Sequence, residues 1–331
     1  MQILDGKFIS SQIKNELKNK VENLEKKGIK PGLGIILVGN RKDSETYVRM
    51  KKKSCNEIGI VNYDVHLNEN ESEEKIIEEV NKMNNDDNIH GILVQLPLPN
   101  HINEERVIKC VNLEKDVDGF HPHNIGNLAL KRLNNLMVPC TPEGCIEILD
   151  RYDIQIEGKH VVIVGRSNIV GMPLSLLFLH RNATVTICHS KTENMKNITQ
   201  TADILVAACG KAKMIKKDYI KEGCVILDVG INSIDDSSRK SGYRLVGDVD
   251  FESVKENMMK LFFEMHIHCS KIALKTNTKK KSTTKKSNLG NFASKKAKEL
   301  AEENGLSETD LTGTGKNGKI TKKDIVSHLP K

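Results

Sequence analysis

Four short clusters hold residue types that could do chemistry together. Ser44, Tyr47 and Lys51 stand at i, i+3 and i+7, so on a helix they share one stripe. Bathed in water beside Lys52 and Lys53, that stripe is a solvated face. Held out of water, an ammonium gives up its proton more readily, and Lys51 becomes a proton carrier with the Tyr47 hydroxyl as its companion. Val94-Gln95-Leu96-Pro97-Leu98-Pro99 sets a polar amide at the end of an apolar run that two prolines then break. A buried Gln needs partners, so Gln95 is either a capped strand end or a site residue. In Lys115-Asp116-Val117-Asp118-Gly119-Phe120 two acids precede a glycine, a pattern that by itself reads as a solvated Asp turn.

The fourth cluster, Gly165-Arg166-Ser167-Asn168-Ile169-Val170-Gly171, joins a β-branched run at 160–164 to a helical stretch. Glycines there let backbone amides approach a pyrophosphate, and a helix amino terminus adds favourable partial charge. Gly-x5-Gly also fits an ordinary tight turn, so the spacing leaves both readings open. The next strand, Ala183–Ile187, runs into Cys188-His189-Ser190-Lys191-Thr192, where an NAD site would carry an acid for the ribose 2′-hydroxyl. Hydroxyls and a cation in its place, with Arg166, favour a 2′-phosphate and hence NADP.

These clusters need elements to position them. Short β-branched runs at Leu33–Val38, Val61–Leu67, Gly91–Gln95, His160–Val164, Ala183–Ile187, Ile204–Ala207 and Val225–Val229 predict strands. Segments of helical period such as Ser44–Ile58, Ser72–Met83, Pro142–Tyr152 and Val170–His180 lie between them. Strict alternation of this kind is α/β, a parallel sheet covered on both faces, with ligands at the carboxyl ends of the strands. The alternation restarts after Pro139 and Pro142, which predicts two α/β units with a boundary near residue 140.

The whole chain, at 331 residues and 38% hydrophobic, has room for about two domains of roughly 150 residues and excludes wholesale disorder. No run approaches the ~18 apolar residues of a membrane span, and the first residues show no signal or transit pattern, so the expectation is a cytoplasmic protein without a membrane partner. Its 8 cysteines form no Cys-x-x-Cys pair and sit in apolar company, the pattern of reduced, packed thiols. The net charge of +7 belongs to the tail: residues 271–331 carry 15 Lys against 6 acids, while the preceding residues nearly balance. Residues 271–290 read as a Lys-rich disordered linker, and 291–331 as a small helical module with a helix at Ala293–Asn304 and a capping pattern at Thr321-x-x-Asp324. Lysines in the linker could touch nucleic acid, but aromatics for base stacking are nearly absent and that partner is disfavoured. His266-x-His268-Cys269 lacks a fourth ligand, so no metal is expected.

Taken together, Tyr47-Val48-x-x-Lys51, Val94-Gln95-Leu96-Pro97-Leu98-Pro99, Lys115-Asp116-Val117-Asp118-Gly119-Phe120-His121-Pro122, Pro139-Cys140-Thr141-Pro142, Gly165-Arg166-Ser167-x-x-Val170-Gly171-x-Pro173 and Gly247-Asp248-Val249-Asp250-Phe251 resemble, in order and spacing, the bifunctional methylenetetrahydrofolate dehydrogenase/cyclohydrolase family over roughly residues 2–255. The resemblance implies a folate-binding catalytic domain (1–140) and a Rossmann-like NADP-binding domain (141–270, atypical from 256) around a cleft, in a homodimeric enzyme of one-carbon metabolism that serves purine biosynthesis. It implies that 5,10-methylenetetrahydrofolate is oxidised to the methenyl cation and hydrolysed to 10-formyltetrahydrofolate. Lys51 is then the general acid/base, Tyr47 positions substrate, Gln95 holds the Lys51 ammonium, and Asp118 accepts paired N–H donors of the pterin edge, with Ser44, Leu96 and Pro97 also in the substrate site. Gly165, Arg166, Ser167, Val170, Gly171, Pro173, His189, Ser190, Gly210 and Ile231 are implied for NADP.

After Asp250 the family continues with a Thr-Pro-Val-Pro-Gly-Gly-Val-Gly-Pro-Met-Thr loop, whereas this chain has neither glycine nor proline between Asp248 and Gly290. Segment 258–274 is read instead as an apolar covering helix, unable to make tight glycine turns near a ligand. Weakened binding follows, and the rival to an active enzyme is a folate- or nucleotide-binding pseudoenzyme that acts through its tail. The tail itself resembles the peripheral subunit-binding domain of 2-oxo acid dehydrogenase acyltransferases, through Ala293-Ser294-Lys295-Lys296-Ala297-x-x-Leu300-Ala301, Gly305-Leu306 and the run from Gly313 to Asp324. That resemblance implies a protein-docking module without catalysis.

Overall fold

Runs of apolar residues that are buried on both faces become parallel strands, and the helical periods between them become the covering layers. The structure, a computed structural model, describes residues 2–132, 137–239, 242–255 and 258–263, and, further on, 297, 301, 311–314, 319–321, 324, 326 and 327. Two units result, Met1–Thr276 and Asn277–Lys331.

In chain order the first unit holds β1 (Gln2–Leu4), α1 (Gly6–Glu25), β2 (Gly32–Val38), α2 (Lys42–Ile58), β3 (Val61–Leu67), α3 (Glu73–Asn85), β4 (Gly91–Val94), α4 (Glu104–Lys109), α5 (Pro122–Ala129) and α6 (Cys140–Arg151). It continues with β5 (His160–Val164), α7 (Gly171–His180), β6 (Thr184–Cys188), α8 (Met195–Thr199), β7 (Ile204–Ala207), β8 (Cys224–Asp228), β9 (Asn232–Asp235), β10 (Tyr243–Val246), the short α9 (Phe251–Val254) and β11 (Met258–Phe263). A three-stranded parallel sheet has the order β3-β2-β4, and a six-stranded parallel sheet the order β1-β11-β8-β7-β5-β6. The hairpin β9–β10 stands apart as an antiparallel pair.

Helix α1 shows how the sequence builds this arrangement. The Asp5 carboxylate caps its start by accepting from the amides of Lys7 and Phe8, and Ile9, Ile13, Leu17 and Val21 recur every four residues as a buried stripe. That stripe lies in one apolar layer with Leu33, Ile35 and Leu37 of β2, Ile148 of α6, Phe178 of α7 and Val161 and Ile163 of β5. A second layer covers the other face of the large sheet, and a third, with Ile76 and Val80 of α3, the other face of the small one.

One expectation needs correction. The apolar segment after Met258 begins as a strand: Met258–Phe263 pairs in parallel with both β8 and β1. The edge of β8 away from β7 carries a row of backbone groups that only a strand can satisfy, and this outweighs a helical pattern of apolar residues. β1, a strand the sequence reading did not include, hydrogen-bonds into the six-stranded sheet at its edge. Residues 264–274, the linker 271–290, the His266-x-His268-Cys269 cluster and most of the two tail helices lie outside the described residues. Among the described residues seven cysteines are free thiols, and no helix is long and apolar enough to cross a membrane.

In the second unit Ala297, Ala301, Leu311 and Ile320 form a small buried core. Beside it Asp324, itself buried, accepts from the Thr314 amide at 3.1 Å and hydroxyl at 2.5 Å, and from the Thr321 amide at 2.7 Å and hydroxyl at 2.9 Å. The capping pattern read at Thr321 is thus present through its acidic arm. These donors hold the Asp324 carboxyl far below the ordinary carboxylate range, so its contribution is present above that range and lost as pH falls through and below it. Amide exchange of the full chain should accelerate in peptides covering 311–327 between pH 5 and pH 3, beyond the intrinsic pH effect, and Asp324→Ala should show the faster exchange at both.

Candidate active site

The carboxyl ends of β4, β5 and β8 and the first turns of α2 and α6 surround a cleft of about 260 Å³. It is lined by Asp43, Ser44, Tyr47, Gln95, Leu96, Asp118, Phe120, Cys140, Thr141, Ile169, Val170, Val229 and Ile231. Lys51 stands at its back, lining with Tyr47 an adjoining chamber of about 400 Å³.

The stripe on α2 is no solvated face. Ser44 is 3% and Lys51 7% exposed, and Lys51 Nζ donates to Gln95 Oε1 at 3.2 Å. The Gln95 Nε2 group donates in turn to the Leu96 carbonyl at 2.7 Å, which fixes which end of the amide faces the lysine. At the mouth, Arg41 pairs with Asp43 and holds its carboxyl below the usual carboxylate value.

Nor is Lys115–Phe120 a solvated turn. The Ile92 amide donates to the Lys115 carbonyl at 2.7 Å and Ile92 bridges Asp116, so this segment runs as an extra rung beside β4. Lys115 Nζ donates to the carbonyls of Met83, Asn84 and Asp86, which anchors the segment on the end of α3. Asp116 Oδ2 accepts from the His121 amide at 2.9 Å and from Asn124 Nδ2 at 2.7 Å. Gly119 then turns the chain at φ 69°, where a side chain would strike the backbone of Val138 and Pro139. Asp118 is left in the cleft, the inner acid of a lining whose other carboxylate is Asp43 at the mouth. Burial pushes its carboxyl up, Lys51 pulls it back, and Asp116 adds to the rise. The Cys140 thiol, also raised by burial and next by Asp118, stays protonated.

Of the expected residues, Ser44, Tyr47, Gln95, Leu96, Asp118, Val170 and Ile231 line this cleft, and Lys51 reaches it through Gln95. Pro97, joined to Leu96 by a cis peptide, is exposed at its edge. Gly165, Arg166, Ser167, Gly171, Pro173, His189, Ser190 and Gly210 are not in the lining; they follow β5, β6 and β7 at the same ends of the strands. Sequence reasoning named no role for Asp43, Phe120, Cys140, Thr141, Ile169 or Val229. Phe120, Cys140, Thr141 and Ile169 fall inside the motifs quoted above, whereas Asp43 and Val229 carried no signal.

The β5–α7 loop fits a dinucleotide. Gly165 has φ 137°, and a Cβ on it would overlap the Ala208 carbonyl; one on Gly171 would overlap the Gly165 carbonyl. The loop is therefore drawn in where any side chain would fill it, and Ser167 Oγ accepts from the Val170 amide at 3.2 Å as the ten-residue α7 begins. Arg166 and Ser190 are exposed, and no acid stands among residues 188–192. Gly171→Ala should push this loop outward and raise the NADPH dissociation constant at least about tenfold, as a fluorescence titration would read.

Comparison with known proteins agrees. The model of the tetrahydrofolate dehydrogenase/cyclohydrolase catalytic domain matches residues 4–118, that of the NAD(P)-binding domain of the same enzymes residues 139–261, and that of the e3 binding domain residues 292–326. Bifunctional protein FolD 2 of Arabidopsis thaliana is 53% identical over 251 residues, covering 76% of this chain and 84% of the relative. The crystal structure of the bifunctional FolD methylenetetrahydrofolate dehydrogenase/cyclohydrolase of Campylobacter jejuni superposes with a TM-score of 0.77 at 43% identity, over 83% of this chain and 96% of that one. The Trypanosoma brucei enzyme, solved with NADP and an inhibitor, gives 0.77 at 36% identity, over 82% and 93%. A buried lysine tethered by an amide, an acid facing it and a glycine cradle across the cleft thus occur in a chain that belongs to the tetrahydrofolate dehydrogenase/cyclohydrolase family.

Proposed function

We propose that the chain oxidises 5,10-methylenetetrahydrofolate with NADP and hydrolyses the resulting methenyl cation to 10-formyltetrahydrofolate in the same cleft. The observation that carries this reading is the Lys51–Gln95 hydrogen bond. A neutral amide orients the buried ammonium without pairing it to a carboxylate, so the lysine remains able to pass a proton.

Bound at Gly165, Arg166, Ser167, Val170, Gly171 and Pro173, with His189, Ser190, Gly210 and Ile231 around it, NADP supplies the acceptor for the hydride that leaves the one-carbon bridge. Asp118 accepts two parallel N–H donors of the pterin edge, and Tyr47 and Leu96 hold the substrate against Gln95. Lys51 acts as the general base for the water that attacks the methenyl carbon and takes its proton. It returns that proton to the ring nitrogen as the carbon–nitrogen bond breaks, and the remaining hydroxyl proton is released to solvent as the formyl carbonyl forms on the other nitrogen. Ser44, buried one turn before Tyr47, completes the polar floor.

The proposal extends to the assembly and setting. The family resemblance supports a homodimer and a place in the one-carbon supply of purine biosynthesis, and the free thiols fit a reducing compartment such as the cytoplasm. The match of residues 292–326 and the basic tail support docking of an acidic protein surface.

Lys51→Met should abolish formation of the formyl product, by about 10² or more, while NADPH binding stays within about twofold. Formyl product at the wild-type rate would refute the role of Lys51, and absence of both activities in the wild type would refute the enzyme reading. Arg166→Ala with Ser190→Ala should cut the preference for NADP over NAD in kcat/KM by about tenfold or more, because both side chains stand where the 2′-phosphate is expected. Equal discrimination before and after would place that phosphate elsewhere.

A further inference from the structure

Two aspartates are buried together at the carboxyl ends of β7 and β8. Asp248 has no exposed surface, and its carboxylate takes four donors. Oδ2 accepts from the amides of Cys209 at 2.7 Å and Gly210 at 2.9 Å, and Oδ1 from the Lys211 amide and Asn232 Nδ2, both at 2.8 Å. Asp228, 2% exposed, accepts at Oδ1 from the amides of Gly230 at 3.1 Å and Asp248 at 2.9 Å, and at Oδ2 from the Val249 amide at 3.0 Å. All of these donors are neutral. The fit is close enough to require glycine on both sides: a Cβ on Gly230 would overlap the Asp248 carboxylate, and one on Gly247 that of Asp228. Burial drives the Asp228 carboxyl up to about 6, its backbone donors oppose this, and the neighbouring Asp248 charge adds to it.

The knot joins three segments that are distant in sequence. One is the turn at 209–211 after β7, next to the Ala208 carbonyl on which Gly165 closes. Another is 229–232 after β8, from which Val229 and Ile231 project into the cleft lining. The third is 247–249, tied in parallel to Ile215. Backbone bonds tie 247–250 to Lys213 and Ile215, and Asn232 to Val246 in the hairpin, but among the described residues none joins 209–211 to 230–232; that span is crossed by the Asp248 carboxylate, which sets its width.

We propose that Asp248 is a positioning residue for the dinucleotide, holding Gly210 and Ile231 at the separation the cofactor half of the cleft requires, with Asp228 holding Asp248 in turn. The inference rests on the assignment of NADP to this half of the cleft.

Asp248→Asn is the direct test. Whichever way the new amide turns, its NH₂ group faces two N–H donors, so one side of the knot must open while size and shape are kept. NADPH fluorescence titration should show a dissociation constant raised about tenfold or more. KM for NADP should rise in parallel and the dehydrogenase kcat fall less than about threefold. Hydrolysis of methenyltetrahydrofolate, which uses no nucleotide, should change less than about threefold. A purely structural role would instead lower both activities together by reducing the folded fraction and leave KM for NADP alone. An unchanged NADPH dissociation constant in a variant that melts like the wild type would overturn the proposal. Should Asp248→Asn not accumulate as folded protein, Asn232→Ala removes a single donor; a rise of about two- to fivefold in the same constant is expected, and no rise would overturn it. If the wild-type chain binds NADPH but turns over neither folate, the reaction assignment fails while the NADPH titration still decides the role of Asp248.

Discussion

A lysine can be kept out of water only if an ordered partner meets its ammonium, and the arrangement of the first half of the chain follows from placing Lys51 against Gln95. Gln95 directly follows β4, an edge strand of a three-stranded sheet, and an edge strand leaves one row of backbone groups open. The Lys115–Asp116 segment closes that row through Ile92. Closing it also delivers Asp118 to the cleft two residues later, facing the same lysine. One requirement for backbone satisfaction thereby sets the distance between the site's cation and its acid. Lys115 itself contributes by capping α3, at the far end of the segment from the chemistry.

The six-stranded sheet solves a different problem. From β5 the chain moves outward to β6 and then crosses to β7 on the other side, so the loops after β5 and β7 diverge and leave a crevice at the carboxyl ends. Gly165 sits at that divergence, close enough to Ala208 to exclude any side chain. The Gly210 turn after β7 and the hairpin entry after β8 diverge in the same way, and there two buried carboxylates draw the segments back together. Loops that separate must be held, and the holding groups lie outside the lining.

Much of this was legible because parallel strands buried on both faces read as unbroken apolar runs. His160–Val164 and Ile204–Ala207 are strands with the bounds expected from the sequence, and so is the exposed edge strand Val61–Leu67, which shows alternation instead of an unbroken run. Helix α1, though it carries Ile9, Ile13, Leu17 and Val21 at helical spacing, was not singled out, because its stripe is narrow among many charged residues. β11 was read as helix because an apolar run does not reveal its period when the partner strands lie 30 residues before it and at the far end of the chain. At the site, the residues that came together belong to short motifs, whereas the Asp248 contacts span 16 to 39 residues and leave no local mark beyond glycines beside acids. Asp116 and Asp118 differ only by what packs on them: the same two acids would be solvated if β4 were not an edge.

The two sheets of the first unit share more than a cleft. α1 follows β1, which pairs with β11 in the large sheet, and its buried stripe packs in the same layer as β2 of the small sheet. Each fully buried aliphatic side chain in that layer contributes on the order of 1.5–3 kcal/mol of apolar transfer. Together these side chains make local opening of one sheet without the other costly. The separation of the cleft walls is then fixed by a packed apolar layer rather than by loops, and packed interiors resist small displacements. A site whose buried lysine lies on α2 and whose glycine-walled loop lies after β5 needs that stiffness for the chemistry proposed for it, because a shift of about 1 Å between them would change a reacting distance enough to cost much of the rate.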